Sequence, residues 1–189
     1  LLQCLQTAER PVIVAGGGVR ASGAQREVVA LAEALGIPVA TSLNGKDTIP
    51  GTHPLSIGVV GSYSRESANR MVGEADLVCF IGTEAGGMTT HFNAVPKPGA
   101  AAVQIDIEPE VLGRTYPLKA SVLGDAKATV MRMLELVDRG SAAKRKLCEG
   151  CGQHMHLGCG WTAEFRIRER PPWQLFICEA CSRALLKEI

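Results

Sequence analysis

A doubly wound, mainly parallel α/β sheet with a small Cys-rich C-terminal appendage is the fold class the sequence predicts. Three observations predict it. Pro11 to Ala15 is an apolar, β-branched run that leads straight into Gly16, Gly17 and Gly18, with an amphipathic segment behind it. Further short apolar runs follow without strict alternation, as suits parallel strands covered on both faces. Near Asp138 the composition changes abruptly.

The elements follow in order. Gln3 to Arg10 reads as a helix end or a linker. Pro11 to Ala15 is the first strand. From Ala24 to Leu35 apolar residues recur at helical spacing, with Val28, Leu31, Ala32 and Leu35 on one side, and Gly36 stops the helix. Pro38 to Ala40 resumes an extended segment, which completes a β-α-β unit. Asn44-Gly45 and Pro50-Gly51 are turn signals. Ser64 to Val72 reads as a helix, and Leu77 to Ile81 as an unbroken apolar strand ending at Gly82. Val103 to Ile107 and Ser121 to Leu123 are two further strands. Asp125 is placed to cap a helix from Ala126 to Leu136. The whole suggests a sheet of about six strands.

Hydrophobic residues make up 46% of the 189-residue chain and charged residues 21%, a globular composition. Aromatics are only 4%, so the core must be built from Val, Ile, Leu and Ala. Residues 1–138 carry 11 Lys/Arg against 14 Asp/Glu, whereas 139–189 carry 9 against 5. That positive balance is too small to argue for a nucleic-acid partner. Five of the seven cysteines lie between Cys148 and Cys181. No stretch of about 20 apolar residues is present, so no membrane span is expected. Leu1-Leu2-Gln3-Cys4 lacks the basic start and long apolar run of a secretory leader. A reducing, cytoplasmic setting is therefore expected, where paired cysteines suggest metal before disulfide.

The Gly16–Gly18 cluster has two readings. Glycines between a first strand and a helix let a ligand backbone or phosphate approach closely. Equally, they form a tight packing turn. The spacing is not G-x-G-x-x-G, and no acidic residue about 20 positions on marks a ribose.

The wider sequence carries more. ERPVIVAGGG, PVATSLNGKDTIPGTHPLSIGVVG, EADLVCFIG, QIDIEPEVLGRTYP and LGDA occur in that order. In order and spacing they resemble the central domain of the thiamine-diphosphate-dependent enzymes, the acetolactate synthase-like family, over residue 9 to about residue 138. The resemblance implies a Rossmann-like domain lying between two others. Those two would hold thiamine diphosphate and magnesium at a subunit interface of a homo-oligomer. No catalytic residue of the family has a counterpart here, so the chain alone is expected to be inactive, with a structural or assembly role.

The resemblance also implies a nucleotide site, because the central domain binds FAD in some members and ADP in others. The matching positions are Gly16, Gly17 and Gly18, then Thr41, Ser42 and Leu43, then Gly58, Gly61 and Gly82, then Asp106 and Ile107, then Gly124 and Asp125. FAD-binding members place an arginine and an aromatic soon after the glycine matching Gly82. This chain departs from that with Thr83-Glu84-Ala85-Gly86. Glu84 puts negative charge where a diphosphate would lie, at an electrostatic cost unless compensated.

Four other residues invite chemistry and have plainer readings. His53 in Gly-Thr-His-Pro is expected to fix a loop. His91 has no assignable nucleophile or base. Lys46, after Asn44-Gly45, is placed to reach an anion or simply to follow a capped turn. Cys79, inside an apolar run, is expected to be a buried core thiol.

The tail departs from the family pattern. Residues 139–147 read as a basic linker and 148–189 as a zinc-binding module. Cys148-x2-Cys151 and Cys178-x2-Cys181, 26 residues apart, suit a tetrahedral zinc site of four thiolates. His156, Cys159 and Trp173 make the segment resemble part of a PHD- or RING-type finger, and Cys148, Cys151, His156 and Cys159 are an alternative ligand set. The remaining reading is unligated cysteines. Beside the enzyme-fragment reading, a small nucleotide-binding protein and a zinc-dependent interaction module stay open.

Overall fold

The computed structural model describes residues 1–64 and 66–137. The linker and the zinc module expected from 139 onward lie outside the described residues. The elements are α1 (Leu2–Thr7), β1 (Pro11–Ala15), α2 (Gly17–Ala21), α3 (Gln25–Leu35), β2 (Val39–Thr41) and β3 (Ser56–Val59). There follow α4 (Glu66–Glu74), β4 (Leu77–Ile81), β5 (Ala102–Asp106), a 3-10 turn (Pro109–Val111), β6 (Leu118–Leu123) and α5 (Ala126–Leu136).

The six strands form one sheet in the order β3-β2-β1-β4-β5-β6, and every neighbouring pair is parallel. The chain winds outward from β1 through β2 to β3, then crosses back to β4 and winds outward the other way. The winding direction reverses between β1 and β4. In open parallel sheets such a reversal leaves a crevice at the carboxyl ends of the strands.

Burial explains the apolar runs. All five residues of β1, of β4 and of β5 are buried. Alternate residues serve opposite faces, as the two-residue strand period requires. Ile13, Cys79, Ile81, Val103 and Ile105 pack with Val28, Leu31 and Leu35 of α3 and with Val130 and Met133 of α5. Val12, Val14, Val78 and Phe80 pack on the other face with Met71 and Val72 of α4 and with Tyr116. Edge strand β6 alternates half-buried with exposed, because Ala120 and Val122 pack against the cluster that includes Val130 and Met133 of α5 while Lys119, Ser121 and Leu123 face solvent.

Helix α3 buries Val28, Leu31, Ala32 and Leu35, the face its spacing predicts. Gly36 ends it at φ +67°, a left-handed conformation that favours glycine. Asp125 caps α5, its carboxylate accepting from the Ala128 amide at 2.9 Å. Asp125→Ala is expected to cost about 1 kcal/mol in urea denaturation, and Asp125→Asn much less. Equal losses in the two variants would argue against capping.

The differences from expectation are at ends and edges. The helix expected over Ser64 to Val72 runs from Glu66 to Glu74, because Ala68, Met71 and Val72 set its buried face but not its limits. Strand β5 begins and ends one residue earlier than expected, and β6 starts three residues earlier, at Leu118. Two elements carry no clear sequence signal. Strand β3 is a four-residue edge strand containing Gly58, with a register shift against β2. Helix α2 begins with two glycines, poor helix formers. No helix among the described residues is long and apolar enough to cross a membrane.

Candidate functional site

The crevice between β1 and β4 is walled by the loops that leave β1, β2 and β4. Gly17, Gly18, Ser42, Leu43, Asn44, Gly82, Thr83, Glu84, Met88 and Thr89 line a cleft of about 430 Å³. This lies toward the lower end of the usual size range of small-molecule sites.

The glycines are required here by packing. The Gly16 amide donates to the Ile81 carbonyl and the Gly18 amide to the Gly82 carbonyl, both at 2.8 Å. A methyl on Gly16 would stand 2.2 Å from the Gly82 oxygen, and one on Gly18 would stand 2.7 Å from the Gly82 Cα. The β1 and β4 loops thus lock together backbone to backbone. Gly17 has only Asn44 close by, with its Cβ at 3.1 Å, and lines the cleft.

Of the positions matched through the family resemblance, the cleft brings together Gly17, Gly18, Ser42, Leu43 and Gly82. Gly16 lies behind this wall in the loop contact. Thr41 and Gly58 line a second cleft of about 500 Å³ beside edge strand β3, together with Lys46, Asp47, Tyr63 and Met71. Gly61 donates to the Asn69 side chain at 2.8 Å and lies against the Met88 carbonyl, so it pins the β4 loop. Asp106, Ile107, Gly124 and Asp125 sit at the ends of β5 and β6, outside the first cleft's lining. The Asp106 carboxylate accepts from the Glu108 amide at 3.1 Å, and its carbonyl accepts from Gly124 at 2.8 Å.

Glu84 has a partner that local sequence does not announce. Arg114, 30 residues on in the β5–β6 connection, donates to its carboxylate at 2.5 Å. The Thr115 hydroxyl reaches the Glu84 carbonyl at 3.4 Å. The two charged side chains are 61% and 49% exposed, so the pair is worth at most about 1 kcal/mol. Its consequence is local neutrality at the rim. Residues Asn44, Thr83, Met88 and Thr89 also belong to the wall, which shows only when the loops meet.

His53 fixes a loop. Its Nδ1 accepts from the Leu55 amide at 3.1 Å, which leaves Nε2 to donate to Glu33, also at 3.1 Å. Lys46 is exposed and lines the second cleft. His91 is exposed and meets the Phe92 ring, with a centroid distance of 6.5 Å. Residues His91, Phe92 and Asn93 all have positive φ, and the Thr90 hydroxyl accepts from the Asn93 amide at 3.0 Å within that turn.

Cys79 is fully buried, and burial pushes its thiol up to about 12. A thiol so shifted stays neutral in the folded chain while the unfolded chain ionises from about pH 9. Its contribution to stability is complete below pH 9 and is lost between pH 9 and about 12. Iodoacetamide at pH 8 is expected to leave the Cys79 peptide unmodified until urea is added. Labelling of Cys79 in the folded chain would contradict this burial.

A thiamine diphosphate site needs a divalent cation held by oxygen ligands to bind the diphosphate. Among the described residues no group of three or more His, Cys, Asp or Glu stands together to hold a metal. Glu84 is tied to Arg114, and the Gly16 and Gly18 amides already have carbonyl partners. The described residues do not fit that cofactor. The paired cysteines Cys148, Cys151, Cys178 and Cys181 lie outside them.

All-parallel topology, winding reversal and a glycine-walled crevice define a Rossmann-like α/β domain. The chain belongs to the thiamine pyrophosphate enzymes: the model of that family's central domain matches residues 1–133. It is 40% identical over 126 residues to a probable acetolactate synthase large subunit of Methanocaldococcus jannaschii, covering 67% of this chain and 21% of that protein. With the acetolactate synthase isozyme 3 large subunit of Escherichia coli it shares 33% identity over 141 residues, 75% of this chain and 25% of that protein. A sulfoacetaldehyde acetyltransferase of Castellaniella defragrans is 35% identical over 189 residues, 95% of this chain and 31% of that protein. That last alignment runs past Val137 into the segment with the paired cysteines. The chain spans about a fifth to a third of the length of these curated relatives.

Proposed function

We propose that this chain is the non-catalytic central domain of a thiamine-diphosphate-dependent, acetolactate synthase-like enzyme. Its role is structural: it supports and spaces flanking domains that hold thiamine diphosphate and magnesium in a cytoplasmic homo-oligomer. The observation that carries this reading is the match of the family's central-domain model to residues 1–133, within relatives about three times the length of this chain. The crevice between β1 and β4 retains the form of a nucleotide site, and FAD or ADP are the ligands the resemblance implies for it.

The test is turnover. The 189-residue chain, given pyruvate, thiamine diphosphate and magnesium, is expected to release no carbon dioxide and form no acetolactate above the protein-free rate. Measurable product would sink the proposal.

A second reading concerns 148–189. Two C-x2-C pairs favour a structural zinc site at Cys148, Cys151, Cys178 and Cys181. The alignment that continues through most of this segment instead supports reading it as enzyme sequence beyond the central domain. Native mass spectrometry with metal analysis separates them: one bound zinc per chain supports the finger, and none in reducing buffer removes it.

A further inference from the structure

Asn44 is one of three asparagines in the chain and the only one followed by glycine. That pair carries its own chemistry. The nitrogen of the following residue, once it has given up its proton to water, can attack the Asn side-chain Cγ. The side-chain amide then leaves as ammonia, and a succinimide ring closes. Water opens the ring at either carbonyl, which leaves aspartate or isoaspartate. Glycine has no Cβ to hinder the attack. Asn44 itself is exposed and lines the β1–β4 cleft.

The fold withholds the nucleophile. The Gly45 amide donates to the Ser42 carbonyl at 3.2 Å and to the Ser42 hydroxyl oxygen at 3.0 Å. Ser42 is buried, and its own amide donates to the Ala15 carbonyl at the end of β1, at 2.9 Å. The Gly45 carbonyl accepts from the Thr48 amide at 3.1 Å and from the Thr48 hydroxyl at 2.7 Å. A methyl on Gly45 would stand 2.2 Å from the Ala15 oxygen, so its Cα is pressed against β1 as well. Attack requires the Gly45 nitrogen to lose its proton and its peptide unit to rotate toward Asn44. Every group that would have to move is held.

We propose that Asn44-Gly45 is a deamidation site gated by the Ser42–Gly45 turn. While the turn is closed, Asn44 persists. When it opens, Asn44 converts to aspartate or isoaspartate. The product puts a new carboxylate into the cleft wall that Gly17 and Glu84 also line. Loop opening is far faster than this chemistry, so the rate of conversion follows the population of the open turn.

Peptide mapping by mass spectrometry tests this on the 189-residue chain, aged in warm, mildly alkaline reducing buffer with and without guanidinium chloride. In denaturant Asn44 is expected to deamidate, with Asn69 and Asn93, which precede arginine and alanine, far behind. In buffer alone Asn44 is expected to convert at least about tenfold more slowly, the effect of two hydrogen bonds that must break. Ser42→Ala removes the hydroxyl acceptor and leaves the carbonyl. It is expected to speed conversion in buffer about fivefold, the effect of one hydrogen bond, with the rate in denaturant unchanged. Thr48→Val loosens the same turn from the Gly45 carbonyl and is expected to act in the same direction. Circular dichroism establishes that each variant is folded. Conversion in buffer at the denatured rate overturns the gating. So do folded Ser42→Ala and Thr48→Val chains that both convert no faster than the unmodified chain. Persistence of Asn44 in denaturant overturns the site itself. Should both variants unfold, the unmodified chain in buffer and in denaturant still decides.

Discussion

Gly82→Ala is expected to lose about 3 kcal/mol or more of folding stability, a size reached by few single substitutions. Two effects combine. Gly82 has φ +59°, where an L side chain is strained by about 1–2 kcal/mol. The added methyl would stand 2.7 Å from both the Gly18 Cα and the Val19 nitrogen. Those are backbone atoms of α2, which is hydrogen-bonded to Gly82 at the end of β4, so they cannot swing aside as a flexible side chain would. Gly36→Ala isolates the first effect. Gly36 has φ +67°, but nothing lies within 4 Å of the methyl position. It is expected to cost about 1 kcal/mol. Urea denaturation of both variants, with the slope unchanged, gives the difference directly. Equal losses would mean that the close approach of the β1 and β4 loops contributes nothing, and the packing account of the glycine cluster would fall.

Phe80→Ala is the second large effect, at about 3–5 kcal/mol. Phe80 is 1% exposed on β4, which lies between β1 and β5. Its ring stacks on Tyr116 with centroids 5.6 Å apart and an interplanar angle of 19°. The Tyr116 hydroxyl in turn donates to the Pro96 carbonyl at 3.0 Å. Aromatics are few in this chain, so this pair supplies bulk that valine and leucine do not replace on that face. Removing the ring leaves a cavity and strips Tyr116 of its partner. Phe80→Leu keeps most of the volume and is expected to cost about 1.5 kcal/mol or less. A loss below 1 kcal/mol for the alanine variant would show that the face beneath Tyr116 collapses freely.

Sequence alone determined the local elements whose signals are local. Helix α3 is set by four apolar residues at helical spacing and ended by Gly36, and α5 is opened by Asp125. Strands β1 and β4 are legible because burial on both faces leaves no polar position inside them. The family was legible as well, since its motifs are spread in order along residues 9 to 138, and the central-domain match over 1–133 agrees. Strand β3 was not legible, because an edge strand with a glycine needs little apolar sequence.

The glycine cluster shows where such legibility ends. Gly16, Gly17 and Gly18 look alike in sequence, and both a phosphate cradle and a packing turn ask for glycine. Only the tertiary structure decided that Gly16 and Gly18 are held against Gly82 while Gly17 lines the cleft. It also decided that Arg114 neutralises Glu84 across 30 residues of chain. A residue's type and spacing report its own backbone and burial. Which loops meet at the carboxyl edge follows from the strand order, a property of the whole sheet that no short stretch of sequence contains.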